Sequence, residues 1–311
     1  EAKATLVAHI EGWRPPKVDG LEILALPDAS TRVQAILSER ADVVVSMSLD
    51  DVETIKANGG QRHISKAASV LGVSIIFPQL NDVHPLQDVR VRQALNYAVN
   101  KQLYIDAFFG GHAQPASQPT ISGVFGYNEE IEPYPYNPDR AKALLIEAGY
   151  PDGFDFVAEV TIGGGASLAP AYQRVAADLL NVGVVMTLQT IPVQQLIRGI
   201  QEGSWRGQAF GMNWGAERTN DALRPLRLHS CINRNPWYCT EAIDQMINAA
   251  LQEADVDRRR RLTEDIMRHY HEQAPAIWMH EAVQFTGLGP RVKNYQEEYA
   301  VIAFEEIELE P

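Results

Sequence analysis

The sequence predicts an α/β protein with two lobes. A chain of 311 residues is longer than one hydrophobic core usually serves. Hydrophobic residues make up 45% and charged residues 22%, an ordinary globular composition. Strand and helix patterns alternate from the start of the chain, which is typical of an α/β lobe.

The first part of the chain shows the order strand, helix, strand, helix, strand. Alternating or buried apolar runs predict the strands, and apolar residues at i, i+3 and i+4 predict the helices. We expect short strands at 5–10 and 21–26, a helix at about 31–39, a strand at 42–46, a helix at 49–57 and a strand at 70–77.

The second part begins with a strongly helical stretch at 88–109, followed by a proline-rich connection at 114–136. Asn137 is expected to cap a helix through Ala148, ended by Gly149 in the left-handed region. The remaining predicted elements are strands at 154–162, 184–190, 210–214, 276–279, 282–286 and 302–309, and helices at 168–180, 193–201, 240–252 and 256–273.

The net charge of −13 is spread along the chain and argues against nucleic-acid binding, which needs clustered Lys and Arg. The run Arg258–Arg261 is interpreted as a solvated helix face with ion pairs to nearby carboxylates, not as a phosphate site.

The cysteines are Cys231 and Cys239, with seven residues between them. No further Cys or nearby His completes a zinc set. Free thiols in a cytosolic protein and a disulfide in an exported one both remain possible. We favour the disulfide, which would add about 2–3 kcal/mol of stability in the chain-entropy model.

Enzymatic motifs are missing from the sequence. There is no GxSxG elbow, no GxxxxGK[ST] loop and no HExxH. His269 and His271 are two apart on a helix, so they point to different faces, and we interpret His280 and Glu281 as a satisfied pair. We expect no catalysis, no cofactor and no metal.

The chain begins at Glu1, with no initiator Met and no signal-like segment, as expected of a mature or trimmed product. No apolar run approaches the roughly 20 residues that a membrane-spanning helix needs.

Two segments resemble a known family. Asp88–Lys101, DVRVRQALNYAVNK, is similar to the segment that opens the second lobe of family 5 solute-binding proteins, which serve ABC importers of dipeptides, oligopeptides and nickel. Asn137–Phe154, NPDRAKALLIEAGYPDGF, resembles the helix-and-turn signature of the same family. The upstream LEILALPDASTRVQAILSERADVV and the tail PRVKNY match in the same order.

The resemblance implies a two-lobed, class II periplasmic-binding-protein-like fold. Residues 1–78 would belong to the first lobe, 79–281 would form the second, and 282–311 would return to the first. Family chains carry a long N-terminal portion before the segment that begins here, so we expect an incomplete chain.

The segment Asn213–Asp221, NWGAERTND, matches the loop whose acidic residue accepts the α-ammonium of a bound peptide in the family. Glu217 occupies the acidic position, and Arg218 replaces the usual aromatic residue and could instead bind a ligand carboxylate. Trp214 could form a pocket wall, and Asp221 is a further candidate. The alternatives are a solvated Glu217–Arg218 pair and core packing of Trp214.

The function implied is that of a periplasmic or extracellular solute-binding component, which captures a peptide or similar small zwitterion for an ABC permease. We expect a monomer with no nucleic-acid partner. The alternatives are a ligand-sensing domain of a transcription regulator, a hydrolase on the same scaffold, and a binding protein for a sugar, opine or metal chelate.

Overall fold

The computed structural model describes residues 2–161, 168–216, 219–229, 231 and 233–310. These residues form two compact units of mixed α/β structure. The first unit comprises residues 2–67 and 283–310, and the second comprises the described residues between 68 and 282. The units change at 67/68 and 282/283, whereas the sequence predicted crossings after 78 and 281.

The helices and strands alternate through most of the chain. The strands are β1 (Lys3–Val7), β2 (Gly20–Leu24), β3 (Val43–Met47), β4 (Gln61–Ile75), β5 (Gln114–Pro115), β6 (Phe154–Thr161), β7 (Val184–Ile191), β8 (Ala209–Gly215), β9 (Ala276–Leu288), β10 (Val292–Lys293), β11 (Glu297–Glu298), β12 (Val301–Ile302) and β13 (Glu308–Leu309). The α-helices are α1 (Ala29–Leu37), α2 (Leu49–Ala57), α3 (Val89–Ala98), α4 (Lys101–Phe109), α5 (Pro138–Glu147), α6 (Leu168–Leu180), α7 (Val193–Glu202), α8 (Leu223–His229), α9 (Glu241–Gln252) and α10 (Val256–Gln273).

In the first unit, β1 and β2 form an antiparallel hairpin, and β3 pairs antiparallel with the end of β9. Helix α2 begins with a capping box, in which the Ser48 side chain and the Asp51 side chain each accept a backbone N–H. In the core of this unit Val52 and Ile55 of α2 are fully buried, and the side chains of Ile55 and of Val44 in β3 both lie against Gly287 of β9.

The second unit contains a sheet with the strand order β9-β4-β8-β6-β7, and β5 pairs with β9. Strands β4 and β8 are antiparallel, from Ser69 opposite Gly215 to Ile75 opposite Ala209. Strand β6 is parallel to both β7 and β8. Helix α6 lies in the crossover from β6 to β7, as parallel neighbours require.

Strands β4 and β9 each contribute residues to both units. Residues 61–67 of β4 belong to the first unit and 68–75 to the second, while β9 passes from the second unit to the first at 282/283. The strands predicted at 276–279 and 282–286 are therefore one continuous strand, and β4 begins earlier than predicted.

The stretch predicted as helical at 88–109 is helical and is divided into two helices. Val99 adopts an extended conformation with ψ 120°, which ends α3. The Asn100 side chain then accepts a hydrogen bond from Leu103 N at 3.1 Å and caps α4. Periodicity continues across the break, so the apolar pattern alone did not indicate it.

The motif DVRVRQALNY packs α3 against β9. Arg92, only 4% exposed, donates hydrogen bonds to the carbonyl oxygens of Leu86, Gln87 and Gln273, and burial lowers its pKa to about 10. Asn96 donates to Ala276 O and accepts from Trp278 N at 3.0 Å. Arg92 and Asn96 of this motif are therefore hydrogen-bonded to the protein backbone and have a structural role.

Helix α5 begins and ends as its sequence predicts. The Asn137 side chain accepts a hydrogen bond from Arg140 N at 2.9 Å, and Gly149 has φ 92°, a value that side chains rarely tolerate. Within the described ranges, no helix combines the length and the apolar character needed to cross a bilayer.

Candidate functional site

The candidate site lies at the carboxyl ends of the parallel strands of the second unit. Strands β6, β7 and β8 end at Thr161, Ile191 and Gly215. Ligands of open α/β sheets bind outside this edge, because the loops there converge and the strands point toward them. The predicted binding segment 213–221 covers the end of β8. The glycine run Gly163–Gly165, predicted as a turn after β6, lies outside the described residues.

A buried carboxylate fixes the start of β8 beside β6. Glu159 is fully buried and accepts hydrogen bonds from Arg206 N at 2.5 Å and from Gly207 N at 2.7 Å. Gln195, in the first turn of α7, adds a bond from Nε2 at 3.3 Å. Gly207 is required here, because a Cβ atom would lie 2.7 Å from Val157 O. These contacts set the direction in which β8 leaves the sheet.

Trp214 is fully buried at the end of β8. Its Nε1–H donates to Ser74 Oγ at 3.0 Å, and its ring lies 5.0 Å from the Trp278 ring and 5.8 Å from the Tyr270 ring, measured between centroids. These are core-packing contacts, and the side chain has no exposed face with which to form a pocket wall in this structure.

Glu217 and Arg218, the two central residues of the predicted site, lie outside the described residues. Their flanks are defined. Ala216 N donates to Ala68 O at 2.7 Å, and Ala216 O accepts from Thr219 N and Asn220 N at 3.2 and 3.0 Å. Asn220 has φ 47°, a left-handed value that Asn tolerates. Residues 219 and 220 therefore hydrogen-bond back to Ala216.

Asp221 is engaged by the protein itself. Its Oδ1 accepts a hydrogen bond from Leu223 N at 2.9 Å, and its Oδ2 forms an ion pair with Arg259 Nη2. Its neighbours form a parallel bridge with Phe125, since Phe125 N donates to Asn220 O and Ala222 N donates to Phe125 O, both at 3.0 Å. The charge of Asp221 is thus compensated without a ligand.

The basic run of α10 is more than a solvated face. Arg258 pairs locally with Glu253 at 3.0 Å, as the sequence suggested. Arg259 instead reaches Asp221, and the Arg260 guanidinium carbon lies 4.6 Å from the centre of the Phe125 ring. Sequence reasoning missed Arg259 and Phe125, because nothing local indicates which distant residue an arginine contacts.

Cys231 and Cys239 are joined by a disulfide, with their Cα atoms 5.0 Å apart. The loop between them buries Trp237 and Tyr238. Trp237 O accepts from Phe77 N at 2.9 Å, and Tyr238 OH lies 3.2 Å from His269 Nε2. The free-thiol alternative does not apply to this structure, and these two aromatic residues pack in the interior.

His280 and Glu281, interpreted as a satisfied pair, each have a partner within the second unit. His280 Nδ1 lies 3.3 Å from Tyr104 OH, and burial lowers the His280 pKa to about 3. Glu281 accepts hydrogen bonds from Ser122 N and Ser122 Oγ, both at 3.2 Å. No cluster of three or more His, Cys, Asp or Glu side chains suited to a metal ion occurs in the described part of the chain.

A surface depression of about 250 Å³ lies at the opposite edge of the sheet. Its lining includes Ile146 of α5, Asp152 before β6 and Gly183 before β7. These positions surround the amino ends of the strands, where ligands of α/β sheets do not ordinarily bind.

The parallel strands, their crossover helices and a loop-bearing carboxyl edge define a mixed α/β protein. The sequence profile of the bacterial extracellular solute-binding proteins, family 5 Middle, matches residues 2–230, and the chain belongs to this family.

Solved structures share the fold. The chain is similar, with a TM-score of 0.83 and 21% identity, to the ABC transporter-associated periplasmic binding protein DppA of Helicobacter pylori in complex with the peptide STSA, covering 99% of this chain and 60% of that one. It is also similar to NikA of Staphylococcus aureus in complex with Ni(L-His)2, with a TM-score of 0.79 and 18% identity, covering 99% and 66% of the two chains.

Two curated relatives illustrate the range of ligands. Heme-binding protein A of Haemophilus influenzae is 30% identical over 297 residues, covering 93% of this chain and 53% of the relative. Di/tripeptide-binding protein 2 of Pseudomonas aeruginosa is 26% identical over 308 residues, covering 95% and 56%. The chain thus spans about half the length of the curated relatives it matches.

Proposed function

We propose that the protein is the solute-binding component of an ABC importer and that it binds a peptide or similar small zwitterion outside the cytoplasm. Membership of family 5 supports the transport role. The single observation that carries the assignment is that β8 ends at Gly215 on the carboxyl edge of the sheet, with the described residues 216 and 220 beyond it hydrogen-bonded to Ala68 and Phe125. The protein acts without catalysis or cofactor, as a monomer, and delivers its ligand to a membrane permease.

Glu217 accepts the α-ammonium group of the ligand in this proposal. An ammonium group that leaves water suffers several kcal/mol of desolvation unless an ionised partner meets it. A charge-assisted hydrogen bond returns about 1.5–3 kcal/mol. Arg218 supplies a planar, bidentate donor for a ligand carboxylate. A zwitterion satisfies both side chains at once.

The test is calorimetric titration of the full-length protein with a set of di- and tripeptides and their N-acetylated forms. We expect N-acetylation to weaken binding about ten- to a hundredfold, and Glu217→Gln to weaken binding of the free peptide by a similar factor. The acetylated peptide should bind the wild type and E217Q equally, because it has no charge for Glu217 to meet.

The matched control is Glu202→Gln, which alters an exposed residue at the end of α7 and should leave affinity unchanged. Binding of free and acetylated peptides with equal affinity would exclude Glu217 as the ammonium acceptor. A wild-type protein that binds no peptide would exclude the peptide assignment.

A non-peptide ligand is the second candidate, because the relative from Haemophilus influenzae is described as heme-binding and a structural neighbour holds a nickel–histidine complex. Native mass spectrometry of full-length protein purified from its own host separates the two. A co-purifying ladder of peptide masses supports the peptide assignment. A single non-peptide species overturns the ligand class and leaves the binding role intact.

The disulfide supports an extracytoplasmic location over a cytosolic sensor role, since cytosolic thiols are kept reduced. Thiol titration of the protein extracted under alkylating conditions tests this. We expect no free thiol before reduction and two after it. Two free thiols in the untreated protein would favour the transcription-regulator alternative.

A further inference from the structure

We propose that the hairpin of β1 and β2 is an interaction surface for a further part of the full-length polypeptide, which adds a strand to the outer edge of β1 and covers the apolar face of the hairpin. This interaction goes beyond the proposed function and requires no ligand. It is indicated first by exposure, because none of the described residues from Ala2 to Arg32 is buried.

One face of the hairpin is apolar and uncovered. Ala4 lies opposite Ile23, and Leu6 lies opposite Leu21. Successive side chains of a strand point to opposite faces, so these four side chains share one face. Leu6 is 53% exposed and Ile23 is 46% exposed, while Leu21 is partly buried. Because a two-stranded hairpin is only marginally stable in water, such a face requires a covering surface.

The outer edge of β1 is free as well. Ala8 N donates to Asp19 O at 3.0 Å and Ala25 N donates to Ala2 O at 2.9 Å, so the even-numbered residues of β1 bond to β2. The intervening residues direct their backbone N–H and C=O groups away from β2: Lys3, Thr5 and Val7. The sheet has two strands, and no residue in the described ranges pairs with this edge. An unpaired strand edge is a template for strand addition.

The connection between the two strands is held by the end of the first unit. Arg14 pairs with Glu305 at 3.0 Å, and Lys17 pairs with Glu308 at 2.7 Å. Each exposed ion pair is weak, but together they limit the movement of the connection. Trp13, which is 87% exposed, extends the apolar surface beyond the strands. The hairpin is thus attached to the first unit while its apolar face stays open.

A further part of the same polypeptide is the occupant that these observations favour. The chain spans 53% and 56% of two curated relatives, so a protein of their length has enough additional chain to supply a strand and an apolar cover. A second copy is disfavoured, because a net charge of −13 makes two copies repel each other. The added segment places apolar side chains on Leu6 and Ile23 and pairs its backbone with Thr5 and Val7.

The test is hydrogen exchange of the unliganded full-length protein at single-residue resolution. We expect the amides of Thr5 and Val7 to exchange at least about a hundredfold more slowly than in an unstructured chain, because the added strand accepts them. The amides of Ala4 and Leu6 bond to β2 in either case and show that the hairpin has formed. Rapid exchange at Thr5 and Val7 would overturn the proposal, whatever the protection of Ala4 and Leu6.

Two substitutions separate the faces of the hairpin. Leu6→Gln places a polar group on the covered face and should speed exchange of the Val7 amide at least about tenfold. Thr5→Gln introduces the same side chain on the opposite face, which carries the exposed Lys3–Glu22 ion pair, and this matched control should leave the Val7 amide unchanged. Equal acceleration in both variants would mean that the apolar face is not covered. If L6Q does not fold, the wild-type exchange decides.

Sedimentation of the full-length protein at several concentrations identifies the occupant. Protected edge amides in a monomer support the proposal. Protection that appears only with a dimeric mass would assign the surface to a second copy and overturn it. None of these measurements involves a ligand, so their outcome is independent of the peptide titration that tests the proposed function.

Discussion

The ammonium group of Lys101 lies 5.7 Å from the centre of the Tyr134 ring, and no described residue gives it a hydrogen-bond partner. Lys101 is only 3% exposed, and burial lowers its pKa to about 7. In the unfolded chain the amine keeps its proton up to about pH 10.4. Between pH 7 and pH 9 the unfolded state therefore binds more protons, so stability rises with pH. Above about pH 9 the buried tyrosines, whose pKa values burial raises, act in the opposite direction.

The first prediction concerns the stability of the protein in this pH range. The free energy of unfolding should increase from pH 7 to pH 9 with a slope of up to about 1.4 kcal/mol per pH unit. Lys101→Met should flatten the slope and raise stability near pH 7 by about 2–4 kcal/mol. Urea unfolding at a series of pH values measures both.

Lys142→Met, a change at an exposed lysine of α5, is the matched control and should leave the slope intact. Burial also lowers the pKa values of His269 and His271, and their titration falls below this pH range. A wild-type stability that is flat or falls between pH 7 and pH 9 would contradict the buried, unpartnered state of Lys101.

Glu159 gives the second prediction. Glu159→Ala removes the acceptor of two backbone N–H groups, of Arg206 and Gly207, at the buried start of β8. An unmet buried donor costs about 1–3 kcal/mol, so we expect a loss of about 2–5 kcal/mol in unfolding free energy. Glu202→Ala, at an exposed site, should change it by less than about 0.5 kcal/mol. Equal stability of the two variants would mean that Glu159 does not hold this strand.

The disulfide gives the third. Replacing Cys231 and Cys239 together by serine should destabilise the protein by about 2–3 kcal/mol, because a nine-residue loop is no longer closed in the unfolded chain. Trp237 lies in that loop, so the near-ultraviolet circular dichroism of the folded protein should also change. Reductant should lower the unfolding midpoint of the wild type and leave that of the double-serine variant unaltered; an insensitive wild type would argue against the bond.

The fourth prediction concerns Trp214, which could be a core residue or a pocket wall. A core residue contributes to stability, whereas a pocket wall contributes to ligand affinity. As a core residue, Trp214→Phe should reduce stability by about 1–3 kcal/mol and leave peptide affinity within about twofold of the wild type. If Trp214 were a pocket wall, the same substitution should reduce peptide affinity at little cost in stability. Denaturant unfolding and calorimetry on the same preparation distinguish the two.

The sequence located the elements that have strong local signals. Helices α2, α6 and α10 begin and end where periodicity and caps indicate. It failed where local signals mislead. The apolar pattern runs across the break at Asn100. Helix α8 was not predicted, because Pro225 is a residue that usually interrupts helices, although the first turn, where it lies, tolerates proline.

The candidate site was predictable only in part, for the same reason. The segment 213–221 could be placed at a strand end from its own residues. The partners of that segment could not, because Ala68, Phe125 and Arg259 are brought to it by the sheet and by α10. Arg259 looked like the other arginines of its run, and only the fold distinguishes it from Arg258.

The antiparallel pairing of β4 with β8 brings residue 69 beside residue 215. A contact between such distant parts of the chain closes a large loop, and its entropic cost delays the step relative to local helix formation. Until β8 and β9 are synthesised, both edges of β4 lack their partners, and residues 68–75 of β4 are all buried in the folded protein. Newly made chains should therefore be most prone to aggregate before residue 288 has been synthesised, and a holdase that shields β4 during that interval would raise the yield of folded protein.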